Sequence, residues 1–197
     1  MPGQDRLMSR SGPCLNKTVR KKALAIVIVA LILCACSSAP VKPQANAVVI
    51  GNVPFFPQED YQCGPAALAG VLHYWGSSVG IGDIADAIFS KSARGTLTFD
   101  MVLYAERLGY SATQYQGSLD DLRSKIRDGY PLVVLVDYGV YVYRVDHFMD
   151  VIGYDEDGVI VNSGRSKKKY LSNDDFLRSW KRTNNWTLLI KPKEKSE

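Results

Sequence analysis

The sequence predicts an α+β domain in which a helical lobe is followed by a lobe of antiparallel sheet. Two observations carry this. Between about residues 64 and 127 apolar side chains recur at helical spacing, in segments opened by small or hydroxyl residues and closed by glycine. After Pro131 the pattern changes to short apolar runs separated by turn residues, as strands require. Helices first and strands later give a two-lobed α+β arrangement.

Each element follows from local chemistry. Gly64–Trp75 is the first helix, with Pro65 in its opening turn, the helix formers Ala66, Ala67, Leu68 and Ala69 inside, and Gly76 beyond its end. Ile81–Phe89 is the second, since Ile81, Ile84, Ala85 and Ile88 share one face. Phe99–Leu108 follows, capped by Thr98 and stopped at Gly109, then Leu119–Arg127, capped by Ser118 and stopped at Gly129. Leu132–Val136 reads as a buried strand. Tyr141–Arg144, His147–Gly153 and Val159–Asn162 read as shorter ones, with the turn Asp155-Glu156-Asp157-Gly158 between the last two. Asn173–Trp180 is a helix behind Ser172, and Trp186–Ile190 a closing strand. Arg165 and Lys167–Lys169 read as a solvated turn.

The chain has 197 residues and a formal net charge of +4. Six basic residues and one acidic residue fall within positions 1–35; without them 18 basic and 19 acidic residues remain, so the rest of the chain is nearly neutral. A nucleic-acid partner therefore has no electrostatic footprint to rest on. The N-terminal charges belong to a segment built like a secretory signal: Arg20-Lys21-Lys22, then the apolar run Ala23–Leu33, too short for a bilayer span of roughly 20 residues. Its end, Leu33-Cys34-Ala35-Cys36-Ser37-Ser38, resembles a lipoprotein processing box. Cys36 fits as the lipidated residue better than Cys34, because Ala35 supplies the small residue before it. The expected organisation is a signal peptide at 1–35, a tether at 36–47 rich in small residues and proline, a domain at 48–192 and a charged tail at 193–197. By analogy with lipoprotein sorting, Ser37 favours the outer membrane in a Gram-negative cell. The expected location is the cell envelope, with a lipid anchor holding the chain to the membrane.

Of the four cysteines, this processing leaves Cys63 as the one free thiol of the mature chain. An exported protein that does not pair its cysteines invites a reactive role for the one left over. Cys63 stands directly before a helix, where unpaired N–H groups and the macrodipole favour thiolate and should lower its pKa. Position alone fits a structural cap as well as a nucleophile. The sequence holds two histidines. His73 lies ten residues further along the same helix, about 15 Å at 1.5 Å per residue, out of reach of Cys63. A base for Cys63 is therefore His147, at the start of a strand. One thiol and one usable imidazole do not make a zinc site, and no phosphate-binding glycine loop is present, so no cofactor or metal is expected.

Val53-Pro54-Phe55-Phe56-Pro57-Gln58-Glu59-Asp60-Tyr61-Gln62-Cys63-Gly64-Pro65-Ala66-Ala67-Leu68, with Tyr74-Trp75-Gly76 beyond, resembles the nucleophile segment of the bacteriocin-processing (double-glycine) cysteine peptidases. His147-Phe148 through Val151-Ile152-Gly153-Tyr154-Asp155 resembles that family's histidine strand. The resemblance implies a papain-like fold and cleavage of a peptide or protein substrate through a thioester. It makes Cys63 the nucleophile, His147 the general base and acid, and Gln58 the side-chain oxyanion donor, with Gln62 the alternative. The family's histidine-orienting aspartate has no counterpart here. Counting from His147 it falls on Ser163, with Asn162 adjacent; Asn162 is the expected orienter, because a neutral amide can hold an imidazole, and Ser163 the weaker one. A catalytically degenerate peptide-binding or assembly factor, or a cell-wall amidase, are the other readings. The amidases tend to carry Asp-Cys-Ser-Gly where this chain has Gln62-Cys63-Gly64-Pro65.

Overall fold

The computed structural model describes residues 42–58 and 62–193. The expected signal peptide, Cys36, the first part of the tether and most of the tail lie outside them. The elements, in chain order, are β1 (Val48–Val49), α1 (Cys63–Tyr74), α2 (Ile81–Ile88), β2 (Phe89–Ser90), β3 (Gly95–Thr96), α3 (Thr98–Arg107), β4 (Tyr110–Gln116), α4 (Leu119–Arg127), β5 (Leu132–Asp137), β6 (Asp146–Tyr154), β7 (Gly158–Ser163), β8 (Ser166–Ser172), α5 (Asn173–Lys181) and β9 (Trp186–Pro192).

Helix termini follow the sequence chemistry closely. Ser118 caps α4 by accepting from the Asp121 N–H at 3.1 Å, and Ser172 caps α5 by accepting from the Asp175 N–H at 3.2 Å. Gly109 and Gly129, just past α3 and α4, hold φ of +89° and +85°, the left-handed region that lets a helix stop and the chain turn into a strand. Thr98 is different: it is the first helical residue, and the cap position falls to Leu97, whose side chain makes no capping bond.

The main sheet is antiparallel with strand order β4-β9-β5-β6-β7-β8, and β1 pairs with the far end of β6. Helices cover both faces. Along β5, Val133 and Leu135 join Leu68, Leu72, Ile84 and Met101 of the α1–α3 layer, while Leu132, Val134 and Val136 join Leu122, Ile126, Phe176 and Trp180 of α4 and α5. A strand buried on both faces needs an unbroken apolar run, which is how 132–136 reads. The arrangement is helices followed by antiparallel sheet, as the sequence predicts.

Three stretches depart from the sequence expectation. Tyr141–Arg144 is part of an exposed loop joining β5 to β6, not a strand. Its Val/Tyr alternation suits a pleated surface, but no neighbouring strand pairs with it. The basic run at 165–169 is largely strand β8 rather than a turn; lysines on an edge strand discourage pairing with other chains. Strand β4, the opposite edge, carries mostly polar side chains and so gave no apolar signal.

Candidate active site

Cys63 opens α1, and the helix behind it is packed tightly from Gly64 to Leu72. Gly64 is required by close approach: a Cβ there would meet the Thr96 side chain at 2.5 Å, so β3 could not lie against the helix start. Pro65 has no N–H to lose in the first turn, and the Ala66 N–H bonds back to the Gln62 carbonyl at 3.1 Å. The N–H groups of Cys63, Gly64 and Phe148 all hydrogen-bond toward the thiol and favour its ionised form. Burial outweighs them, with a smaller push from Asp146, and the Cys63 pKa is raised above its ordinary value. The helix-terminus expectation of a lowered pKa is thus corrected. The sulfur packs against the α1–α3 core beside Phe56, and desolvation of a thiolate exceeds what three N–H groups return.

His147 lies at the start of β6, opposite Val136 of β5. Its Nε2 is 2.9 Å from Ser163 Oγ, and its ring lies beside that of Tyr138 at 5.6 Å between centroids and 33° between planes. Ser163 also acts on the Tyr138 phenol, in the sense that favours its ionised form, while burial raises the phenol's pKa. Burial, reinforced by the positive charge of Lys169 on β8, lowers the His147 pKa to about 4. The imidazole is neutral at pH 7, and its Nε2 is the nitrogen engaged by Ser163.

Asn162, the expected orienter, does not reach the imidazole. It pairs with Asp150 across β6 and β7, and its Oδ1 accepts from the Lys168 N–H at 3.1 Å. The reason is strand parity: Asp150 and Asn162 point to one face, His147 and Ser163 to the other. A bulge between Val161 and Ser163 in the β7–β8 ladder further re-aims the strand end. The serine at the counted aspartate position makes the contact instead.

Gln58 is anchored by three bonds. Its N–H donates to the Gly164 carbonyl at 2.9 Å, its Oε1 accepts from the Gly164 N–H at 3.1 Å, and its Nε2 donates to the Phe148 carbonyl at 3.4 Å. The oxygen is therefore fixed and the amide nitrogen faces the carbonyl of Phe148, a residue whose N–H lies toward Cys63. Cys63 and Gln58 thus both address the backbone of Phe148, the residue that follows His147 on β6. Sequence reasoning had no signal for Phe148's backbone role, nor for Tyr138. His73 bonds the Val79 carbonyl at 2.6 Å and packs edge-on against Phe56, a structural role.

Beneath α1 lies a second polar group. Asp150 is 3% exposed, its Oδ1 lacks a hydrogen-bond partner, and burial raises its pKa well above the usual carboxylate range. A Cβ on Gly70 would meet its Oδ2 at 2.5 Å. Among the described residues no group of three His, Cys, Asp or Glu side chains could hold a metal ion.

A cavity of about 270 Å³ lies beside the β5–β6 loop, bordered by Asp137, Tyr138 and Arg182. Another, of about 420 Å³, is lined by Ala93 and Arg94 of the β2–β3 hairpin and by Arg144, Val145 and Asp146 next to His147.

The family model of the Peptidase C39 like family matches residues 50–188. Among solved structures the fold is similar to a candidate C39-like peptidase from Bacillus anthracis, at 18% identity and a TM-score of 0.63, covering 76% of this chain and 100% of that one. It is similar also to the peptidase domain of Streptococcus ComA, a bi-functional ABC transporter of a quorum-sensing pathway, at 23% identity and a TM-score of 0.61, covering 72% and 100%. A third is a double-glycine-motif protease from an AMS/PCAT transporter in complex with its leader peptide, at 20% identity and a TM-score of 0.60, covering 78% and 99%. No curated protein matches the chain.

Proposed function

The chain belongs to the Peptidase C39 like family, and on that premise we propose that it is a cysteine endopeptidase of the cell envelope, lipidated at Cys36. The observation that carries the reading is that Cys63 and Gln58 both address the backbone of Phe148, the residue after His147, Cys63 at its N–H and Gln58 at its carbonyl. Cys63 gives its proton to His147 Nδ1 and the sulfur attacks the scissile carbonyl. The oxyanion is received by the Gln58 amide and the Cys63 N–H. The imidazolium then returns the proton to the leaving amine, and water, deprotonated by the same base, hydrolyses the thioester. Ser163 holds the ring by Nε2. A peptide substrate accords with the leader peptide bound by the AMS/PCAT transporter protease.

One observation favours a second reading, a peptide-binding module without turnover. With the thiol pKa raised and the imidazole lowered to about 4, the resting pair is uncharged, and among the described residues no carboxylate acts on the imidazole. A thiol-reactive peptide probe at neutral pH separates the two. The peptidase reading expects Cys63 to be labelled, labelling to fall at least tenfold in His147→Ala, and turnover to vanish in Cys63→Ala. Unlabelled wild type, or full function of Cys63→Ala in the cell, leaves the binding module.

A further inference from the structure

Serine is an ambiguous partner for a catalytic base. A carboxylate or an amide carbonyl can only accept, so it fixes the histidine proton on the nitrogen it faces. The Ser163 hydroxyl can instead accept from Nε2–H or donate to Nε2. The first arrangement leaves a lone pair on Nδ1 for the Cys63 proton. The second puts the ring proton on Nδ1 and leaves the imidazole unable to act as base. Which of them holds depends on where the Ser163 hydrogen goes.

We propose that Tyr138 is the positioning residue that decides this: its phenol oxygen accepts the Ser163 hydroxyl proton, Ser163 in turn accepts from His147 Nε2–H, and Nδ1 is kept as the lone-pair nitrogen. This rests on the peptidase reading of Cys63 and His147. Tyr138 is the group on hand: its ring lies against the imidazole at 5.6 Å between centroids, and Ser163 acts on its phenol in the sense that a donating hydroxyl does. It is also the least exposed tyrosine of the loop, at 43% against 94% for Tyr141 and 77% for Tyr143. The Tyr138 N–H donates to the Val145 carbonyl at 3.0 Å. The buried Asp137 Oδ1 accepts from the Gly139 N–H at 2.8 Å and the Val145 N–H at 2.9 Å, closing the loop on either side of Tyr138. Arg182 of the turn after α5 pairs with Asp137 Oδ2 at 3.0 Å and donates to the Gly139 carbonyl. An ion pair on the buried Asp137 carboxylate thus anchors the loop backbone on either side of Tyr138.

The test is nitrogen-15 NMR of the imidazoles in the full chain, which has two histidines to assign. Near neutral pH His147 is uncharged, so its tautomer can be read directly. Wild type is expected as the Nε2–H tautomer. Tyr138→Phe keeps the ring against the imidazole and removes the acceptor; the Nδ1–H tautomer should rise to a comparable population. Alkylation of Cys63 by iodoacetamide should slow about fivefold, the worth of one neutral hydrogen bond. In a Ser163→Ala background Tyr138→Phe should change neither readout further. A wild-type tautomer in Tyr138→Phe, or an equal additional loss in the Ser163→Ala background, overturns the proposal. The tautomer is read without any substrate, so a chain with this response that cleaves nothing refutes the peptidase reading and leaves the positioning role standing.

Discussion

Burial decides the resting state at Cys63 and His147: the thiol keeps its proton and the imidazole takes none until pH falls to about 4. Alkylation of Cys63 against pH should therefore inflect above the ordinary thiol value of about 8.5. An inflection below it, shifted upward by His147→Ala, would restore the ion pair that the helix terminus suggests. The missing charge is the lever. Ser163→Asp places an acceptor-only carboxylate on Nε2, which should raise the His147 pKa by about 1–3 units and speed Cys63 alkylation at pH 7. Ser163→Ala should slow alkylation, and Asn162→Ala should leave it unchanged while loosening the β7–β8 turn; the reverse ranking would return the orienting role to Asn162. Cys63 and His147 were legible because a free thiol beside a helix start and a second histidine beyond reach leave few choices. The choice between Asn162 and Ser163 needs strand parity and a bulge, which residue types do not encode. Tyr138 stands in a Val/Tyr run where nothing local distinguishes it from Tyr141 or Tyr143.

Among the elements, those with a strong chemical period were readable and those defined by pairing were not. Helix α4 was readable from its serine cap, its apolar face and its terminal glycine, all within one local segment. Strands β4 and β8 are sheet edges whose polar residues carry no apolar signal, and Tyr141–Arg144 carries the signal without the partner. The contact of α1 with β6 is where an element's placement can be tested. Gly70→Ala drives a methyl onto the Asp150 carboxyl, which is walled in on this side by the Pro54 carbonyl. Urea denaturation should show a loss of about 1–3 kcal/mol, the usual cost of overpacking. Asp150 also sets a pH slope. Its folded pKa is raised, so its contribution is complete below the unfolded value of about 3.9 and is lost as pH rises toward the folded one. Wild type should lose more stability than Asp150→Asn between pH 4 and pH 8. His147 acts in the opposite sense, contributing above about 6.5 and losing that as pH falls through about 4. A slope that survives Asp150→Asn would mean that another group carries it.

For the whole molecule, the chain enters the domain at the end of β6 remote from the site. Val48 pairs with Tyr154, and His147 lies seven residues away along the same strand, about 23 Å at 3.3 Å per residue. Val48, where the described chain first joins the sheet, thus lies at the other end of β6 from His147. Membrane attachment and thiol chemistry should then be separable. Cys36→Ala is expected to lose its lipid and move from the membrane to the soluble fraction, while its Cys63 is alkylated at the wild-type rate. Fractionation, mass spectrometry of the N-terminal peptide and alkylation kinetics on one preparation check all three. A Cys36→Ala chain that remains lipidated at Cys34 would refute the choice of processing site, because Leu33 would then have served as the small residue before the modified cysteine. A chain that loses the lipid and with it the reactivity of Cys63 would mean that the anchor bears on the site after all.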